Sequence, residues 1–340
     1  ICIYGILLII TVLITPKVSL LIQSEGLIFL TRCIPGLYFG MTFFYRIDNI
    51  KGINKYYLLC LVYIVVNLFY RDITTELTYM NFSYNILFPL CILFFSCFIE
   101  KEQLFKGILS LIFLLAIVIM GARGPLLVFF LSVLLWFFIH FHNSKQKKYI
   151  FLLLSMGGIA IIFKEKTIEM LFQLFPNSRT LLLLESGMLF DFSGRDRIYQ
   201  NLLDNLQKNF ILPHGLYSDR ILLGDGHVDI SGYYAHNLFY EVLYQFGGII
   251  GSGLILIFII LILISIREIL YCRNEIFIIM YVTFFGGITM LFFSSSYLIN
   301  ERFWLIIGAI ISSVFLMKNK ASHIPRKSMN NRMKIQNKIQ

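Results

Sequence analysis

Apolar residues run along this chain in long blocks rather than in stripes. The blocks fall near 2–15, 26–47, 56–70, 82–99, 107–122, 125–141, 149–163, 249–266, 276–293 and 303–317. Each is close to the ~20 residues that cross a bilayer core of roughly 30 Å. A helix is the expected element, because lipid cannot satisfy open backbone groups. The pair 107–122 and 125–141 reads as two spans or as one broken span.

A single long interruption, from about Lys164 to Ala235, carries polar and charged residues at soluble density. It predicts a large loop with internal order. Thr167 to Phe175 forms a short amphipathic stretch stopped by Pro176. Ser193-Gly194-Arg195-Asp196 begins a better helix, whose apolar positions Ile198, Tyr199, Leu202, Leu203, Leu206 and Phe210 follow helical spacing. Ser193 or Asp196 is its expected cap. Pro213-His214-Gly215 breaks it, and Gly224 to Asp229 is turn chemistry. From His236 the pattern is helical through Phe246, and Gly247-Gly248 leads into the next span.

Composition agrees with the blocks. Hydrophobic residues are 58% and charged residues 14%, against about 25% charged in soluble domains. Mean hydropathy is +0.78. One water-soluble core is excluded. The expected fold is all-α: a polytopic helical integral membrane protein of about ten transmembrane helices, with short amphipathic helices in one large outer loop. The expected divisions are an N-terminal bundle over 1–163, the loop over 164–248, C-terminal spans over 249–317 and a basic tail over 318–340. Ile1 stands where a start methionine would, and no small-residue cleavage pattern follows, so the first block does not read as a signal peptide.

Basic residues set the sidedness. Lys318, Lys320, Arg326, Lys327, Arg332, Lys334 and Lys338 lie in the tail without an acid among them. Lys145, Lys147 and Lys148, and Arg267 with Arg273, fall on the same side by span counting. That side is expected to be cytoplasmic, which puts 164–235 outside. The net charge of +10 is read as this bias and as attraction to anionic lipid rather than to nucleic acid. The six cysteines lie in or beside the blocks, with neither a disulfide framework nor zinc-finger spacing.

Some polar residues sit where chemistry is plausible. Arg123, in Gly121-Ala122-Arg123-Gly124-Pro125, is either a helix-end arginine reaching for headgroups or a fixed guanidinium fork for a diphosphate. His236 stands where the loop re-enters the membrane, with Asn237 beside it and Tyr240 one turn on. It is either an interfacial ring or a proton acceptor. Arg195 and Arg197 flank Asp196 at a helix start, a natural anion site or a solvated face. Arg71-Asp72 and Glu301-Arg302 are expected as outer-face pairs of little weight. His214, Asp219, Asp225, His227 and Asp229 do not have recognised metal-ligand spacing, and His140 and His142 read as an interfacial pair. Nucleotide-handling and hydrolase motifs are absent.

Three of these elements, in this order, resemble the O-antigen polymerase and O-antigen ligase family of bacterial envelope enzymes. They are the Arg-Gly of Gly121-Ala122-Arg123-Gly124-Pro125, the Gly-Arg element Ser193-Gly194-Arg195-Asp196-Arg197-Ile198-Tyr199, and Ala235-His236-Asn237 followed by Gly247. The resemblance covers roughly residues 105–265. It implies a GT-C-like, multi-span glycosyltransferase of the inner membrane that needs neither cofactor nor metal. Donor and acceptor would hang from undecaprenyl diphosphate at the periplasmic face, with membrane lipids and a chain-length regulator as further partners. His236 would assist the attacking hydroxyl, and Arg123 and Arg195 would stabilise the leaving diphosphate. Arg197, Asn237, Tyr240 and Arg71 would contact substrate. A polymerase is the favoured reading. A ligase acting on lipid A core, a capsule or exopolysaccharide polymerase, and a polysaccharide transporter or flippase are the alternatives.

Overall fold

In the computed structural model, the residues described are 2–14, 16–46, 62, 78–99, 103–120, 122–140, 173, 195–224, 233–270, 275–293 and 295–316. Their regular elements are all helical: α1 (Cys2–Ile14), α2 (Ile34–Arg46), α3 (Thr78–Ser96), α4 (Gln103–Ile119), α5 (Arg123–His140), α6 (Arg195–Lys208), α7 (Ser218–Leu223), α8 (Leu238–Phe246), α9 (Gly248–Leu270), α10 (Glu275–Met290) and α11 (Glu301–Ile311). The chain between α1 and α2 winds through short 3-10, α and π turns, and a π turn, Ser312–Leu316, continues α11.

Apart from the single residues 62 and 173, the apolar blocks near 56–70 and 149–163 and the stretch 167–175 lie outside the described residues, as do Arg71 and the basic tail. Each of the other blocks is helical. Residues 107–141 form two helices, α4 and α5, not one broken helix. Pro125 falls in the first turn of α5, where its missing N–H costs nothing. Two described helices, α5 and α9, are long and apolar enough to cross a membrane by length and composition. α9 is apolar on all sides and scarcely buried, exposing Leu256, Ile257 and Leu263. A helix of that kind needs an apolar surround.

The core is the packing of α2, α3, α5, α10 and α11. Trp136 of α5 is fully buried and stacks on Phe95 of α3 at 4.9 Å. α2 and α11 approach so closely that glycine is required at the crossing. A Cβ on Gly40 would stand 2.0 Å from the Leu305 carbonyl oxygen, and one on Gly308 would stand 2.2 Å from the Leu37 oxygen. Small residues of this kind let helix backbones meet. We expect Gly40→Ala to lower stability by about 1–3 kcal/mol through overpacking. Gly107→Ala in α4, where a Cβ meets open space, should be neutral or stabilising. Thermal unfolding of the two detergent-solubilised variants reads the contrast, and equal midpoints would refute the packing account.

α5 and α10 run antiparallel. Gly286 faces Val128, and His140 Nε2 lies 3.0 Å from Glu275 Oε2. This register puts Arg123, at the start of α5, level with Leu291 and Phe292 after α10. The Leu238 N–H donates to the Leu291 carbonyl (3.1 Å), and the Phe239 and Phe292 rings lie 5.1 Å apart. The start of α8 is therefore tied to the same end of the bundle as Arg123. Arg302 differs from the expected exposed pair with Glu301. Its guanidinium donates to the Tyr84 carbonyl (2.8 Å) and to Asn85 Oδ1 (2.6 Å), which fastens α11 to α3.

Candidate functional site

α8 starts later than the apolar pattern suggests. His236 is not helical: its φ of 52° is left-handed, uncommon for a non-glycine residue. Asn237 is the cap, its Oδ1 accepting the Phe239 N–H at 2.9 Å. The helix cannot begin earlier, because the Asn237 side chain competes for the first free N–H groups. At its other end Gly247, with φ of 77°, turns the chain into α9. A Cβ there would meet the Ile211 carbonyl oxygen at 2.8 Å, so the corner fits only against a glycine.

α6 begins at Arg195. Asp196 therefore lies inside its first turn, not at the cap, and Ser193 is outside the described residues. Leu202 and Leu206 of α6 are buried against Ala235 and Tyr244, with Ile198 and Tyr240 packed alongside. That contact delivers the α6 polar residues to the His236 turn. The Tyr199 and Tyr240 rings stack at 4.6 Å, and the Tyr199 hydroxyl lies beside the Asn237 side chain. Burial pushes the Tyr199 phenol up, against the pull of Arg195. Arg195 is half-buried; Arg197 is exposed.

His236 sits inside this group. Its ring lies 4.2 Å from that of Tyr234, and its buried Nδ1 has no hydrogen-bond partner among the described residues. Burial, then the charges of Arg195 and Arg220, lower its pKa from 6.5 to about 4, with Asp219 pulling the other way. The imidazole is neutral at physiological pH and free to accept a proton. A strained backbone at a buried titratable group is where function is worth seeking.

The structure thus brings Arg195, His236, Asn237 and Tyr240 together. Arg123 starts α5, half-buried, at the same end of the bundle. Arg71 lies outside the described residues. His214 stacks on Tyr244 at 4.3 Å and holds the Tyr244 carbonyl through Nδ1 at 2.9 Å, and Asp219 is held by Arg220.

That last contact belongs to a cluster that sequence reasoning missed. Arg220, fully buried, donates through Nη1 to both Asp219 oxygens (2.8 Å each) and to Glu241 Oε1 (2.7 Å). Its Nε reaches Glu25 Oε2 at 3.0 Å, and its Nη2 reaches Ser296 Oγ at 2.6 Å. The Tyr217 and Tyr234 rings lie 5.3 and 5.6 Å from the guanidinium carbon. Gln245 donates to Asp219 Oδ1 (2.7 Å), and Ser296 donates to Glu241. Three carboxylates share one cation in a buried site. Burial raises Glu241 to about 7, despite Arg220, and its Oε2 has no partner among the described residues. The cluster joins four separate stretches of chain and supports the His236 turn from below. Asp219 Oδ2 accepts the Ala235 N–H at 3.4 Å, and Arg220 underlies Tyr234, which packs on His236. One signal was readable: Asn237, Glu241 and Gln245 recur at four-residue spacing in an otherwise apolar helix.

Residues 108–255 match the family model described as O-antigen ligase. No curated protein and no solved structure matches the chain significantly. The matched segment holds Arg123, Arg195, Arg220, His236 and Glu241, and ends inside α9; Glu25 and Ser296, which complete the buried cluster, lie beyond it.

Proposed function

We propose that this chain is a polytopic inner-membrane glycosyltransferase that joins lipid-linked repeat units into O-antigen. The neutral, partly caged His236 imidazole beside Arg195, within the matched segment, is the observation that carries the reading. The donor is a glycan on undecaprenyl diphosphate and the acceptor is a sugar hydroxyl on a second lipid-linked unit. The hydroxyl oxygen bonds to the anomeric carbon while the bond to the diphosphate breaks. The departing electron pair stays on the diphosphate, and the hydroxyl proton passes to His236.

Arg195 and Arg123 supply positive charge for the leaving diphosphate. A well-placed donor of this kind is worth about 2.7–4 kcal/mol. The shared end of α5, α8 and α10 supports Arg123 in this role. Arg197 and Tyr240 contact the sugars or the diphosphate rim. Asn237 acts first as the cap that sets the His236 turn, and its contact with substrate is secondary. The site opens to the periplasm, with the tail on the cytoplasmic side.

The family description favours one second reading, transfer of the finished glycan to lipid A core. Purified protein in lipid vesicles, given synthetic undecaprenyl-diphosphate repeat units and no other protein, separates the two. A ladder of longer lipid-linked glycans is the expected product. Transfer only when lipid A core is added would establish the ligase instead, and no transfer to either acceptor would refute the glycosyltransferase reading.

A further inference from the structure

The stretch between α6 and the Gly247 corner has an unusual surface. Phe210, Ile211 and Leu212 are consecutive, and 50%, 66% and 65% exposed. Single exposed apolar side chains are ordinary, but a contiguous set marks an interaction surface. The apolar stripe of α6 does not extend to them. It is used up by Leu202 and Leu206 against Ala235 and Tyr244, and Lys208 and Asn209 then break it with exposed polar side chains.

The three residues are fastened to the first turn of α9. The Gly248 N–H donates to the Phe210 carbonyl at 2.7 Å, and the Phe210 ring lies directly on Gly248. Beside them Ile249 and Ile250 are 59% and 52% exposed. The patch is therefore continuous with the exposed apolar surface of α9, which runs the length of that helix. Twenty-three residues extend about 34 Å, close to the roughly 30 Å hydrocarbon core. The N-terminal end of α9 then sits at the boundary between acyl chains and headgroups, and Phe210–Leu212 sits at that same depth.

We propose that Phe210, Ile211 and Leu212 form an interfacial anchor, inserted among the acyl chains of the leaflet at the N-terminal end of α9. The proposal rests on the reading of α9 as a membrane span. Apolar side chains with a lysine just above them are the chemistry of a segment lying at a bilayer interface. The anchor holds the Gly247 corner, and through α8 the His236 turn, at headgroup depth. That is where the reacting end of a polyprenyl diphosphate lies.

The test uses the full chain in phosphatidylcholine vesicles brominated either near the carbonyl end or near the methyl end of the acyl chains. Ile211→Trp and Leu212→Trp each place a reporter in the patch. Leu256→Trp places one on the exposed face of α9, about 12 Å deeper. Emission is read as the increment over the parent, which contains Trp136 and Trp304. The patch reporters should lose emission, more to the shallow bromines than to the deep ones, with the reverse for Leu256→Trp. Quenching at Leu256→Trp with none at either patch position overturns the anchor and leaves α9 in the bilayer; a protein partner on the patch gives this result. Absence of quenching at all three positions removes the span reading and the anchor together.

Discussion

Arg220→Ala is expected to abolish the folded state of the region around α7 and α8, or to lower stability by about 3–5 kcal/mol. Removing one partner of a buried ion pair strands the other charges without solvent, and here the guanidinium serves Asp219, Glu241 and Glu25 at once. Arg220→Lys keeps the charge but loses the fork that reaches several acceptors, so its loss should be intermediate. Glu241→Gln should cost little near neutral pH, because the carboxyl it replaces is already half-protonated there. Thermal unfolding in detergent across these variants decides the matter. An Arg220→Ala midpoint equal to that of the parent would mean that the cluster does not hold the fold.

The cluster also sets a pH dependence. Glu241 is raised from 4.5 to about 7, so the folded chain binds more protons than the unfolded chain between these values. Its contribution to stability is fully present below 4.5 and is lost as pH rises through about 7. His236, lowered from 6.5 to about 4, acts in the opposite sense. Its contribution is present above 6.5 and is lost as pH falls through about 4. The two windows overlap and largely offset in the parent. Glu241→Gln removes one of them, so this variant should gain stability as pH rises from about 4 to 6.5 while the parent changes little.

His236→Asn is the second large effect. Asparagine tolerates the left-handed backbone that His236 adopts but cannot accept a proton, so fold and chemistry separate. We expect glycan transfer to fall by about 10²–10⁴-fold, the usual weight of a positioned general base, with the unfolding midpoint close to that of the parent. The sign of the pH profile follows from the buried imidazole. The base works when neutral, so the rate should hold through pH 6 and decline only as pH falls towards about 4. A solvated histidine would lose activity near 6.5. An acid limb at that higher value, or full transfer by His236→Asn, removes His236 from the reaction.

Much of this arrangement was readable from residue order. The apolar blocks announced α1, α3, α4, α5, α9, α10 and α11, because a helix is the only way to satisfy the backbone across so many consecutive apolar residues. The spacing of Leu202 and Leu206 announced which face of α6 would be covered. Arg195, His236, Asn237 and Tyr240 were singled out by residue type and place, and they meet in space. The starting points of α6 and α8 were less legible, since a cap depends on one side chain reaching one backbone N–H. The Asp196 alternative for the cap of α6 and the His236 start of α8 are consequently each two positions out.

Arg220 could not be found in this way. In a polar segment an Asp-Arg pair looks like a solvated turn, and Glu25 and Ser296 lie some two hundred and about seventy residues away in the chain. Their cost and their compensation exist only once all of them are buried together.

The order of apolar and polar residues by itself determined an all-helical chain, a polar segment set between apolar ones, and the residue types able to transfer a proton or hold a phosphate. These depend on local periodicity and intrinsic side-chain chemistry. Only the tertiary structure decided which charges are buried, why His236 is neutral, and why Glu241 gives up its proton only near neutral pH. Burial and Coulomb energy depend on distance through space, and the residues concerned are brought within reach of one another only by the packing of α6, α7 and α8 against the rest of the chain.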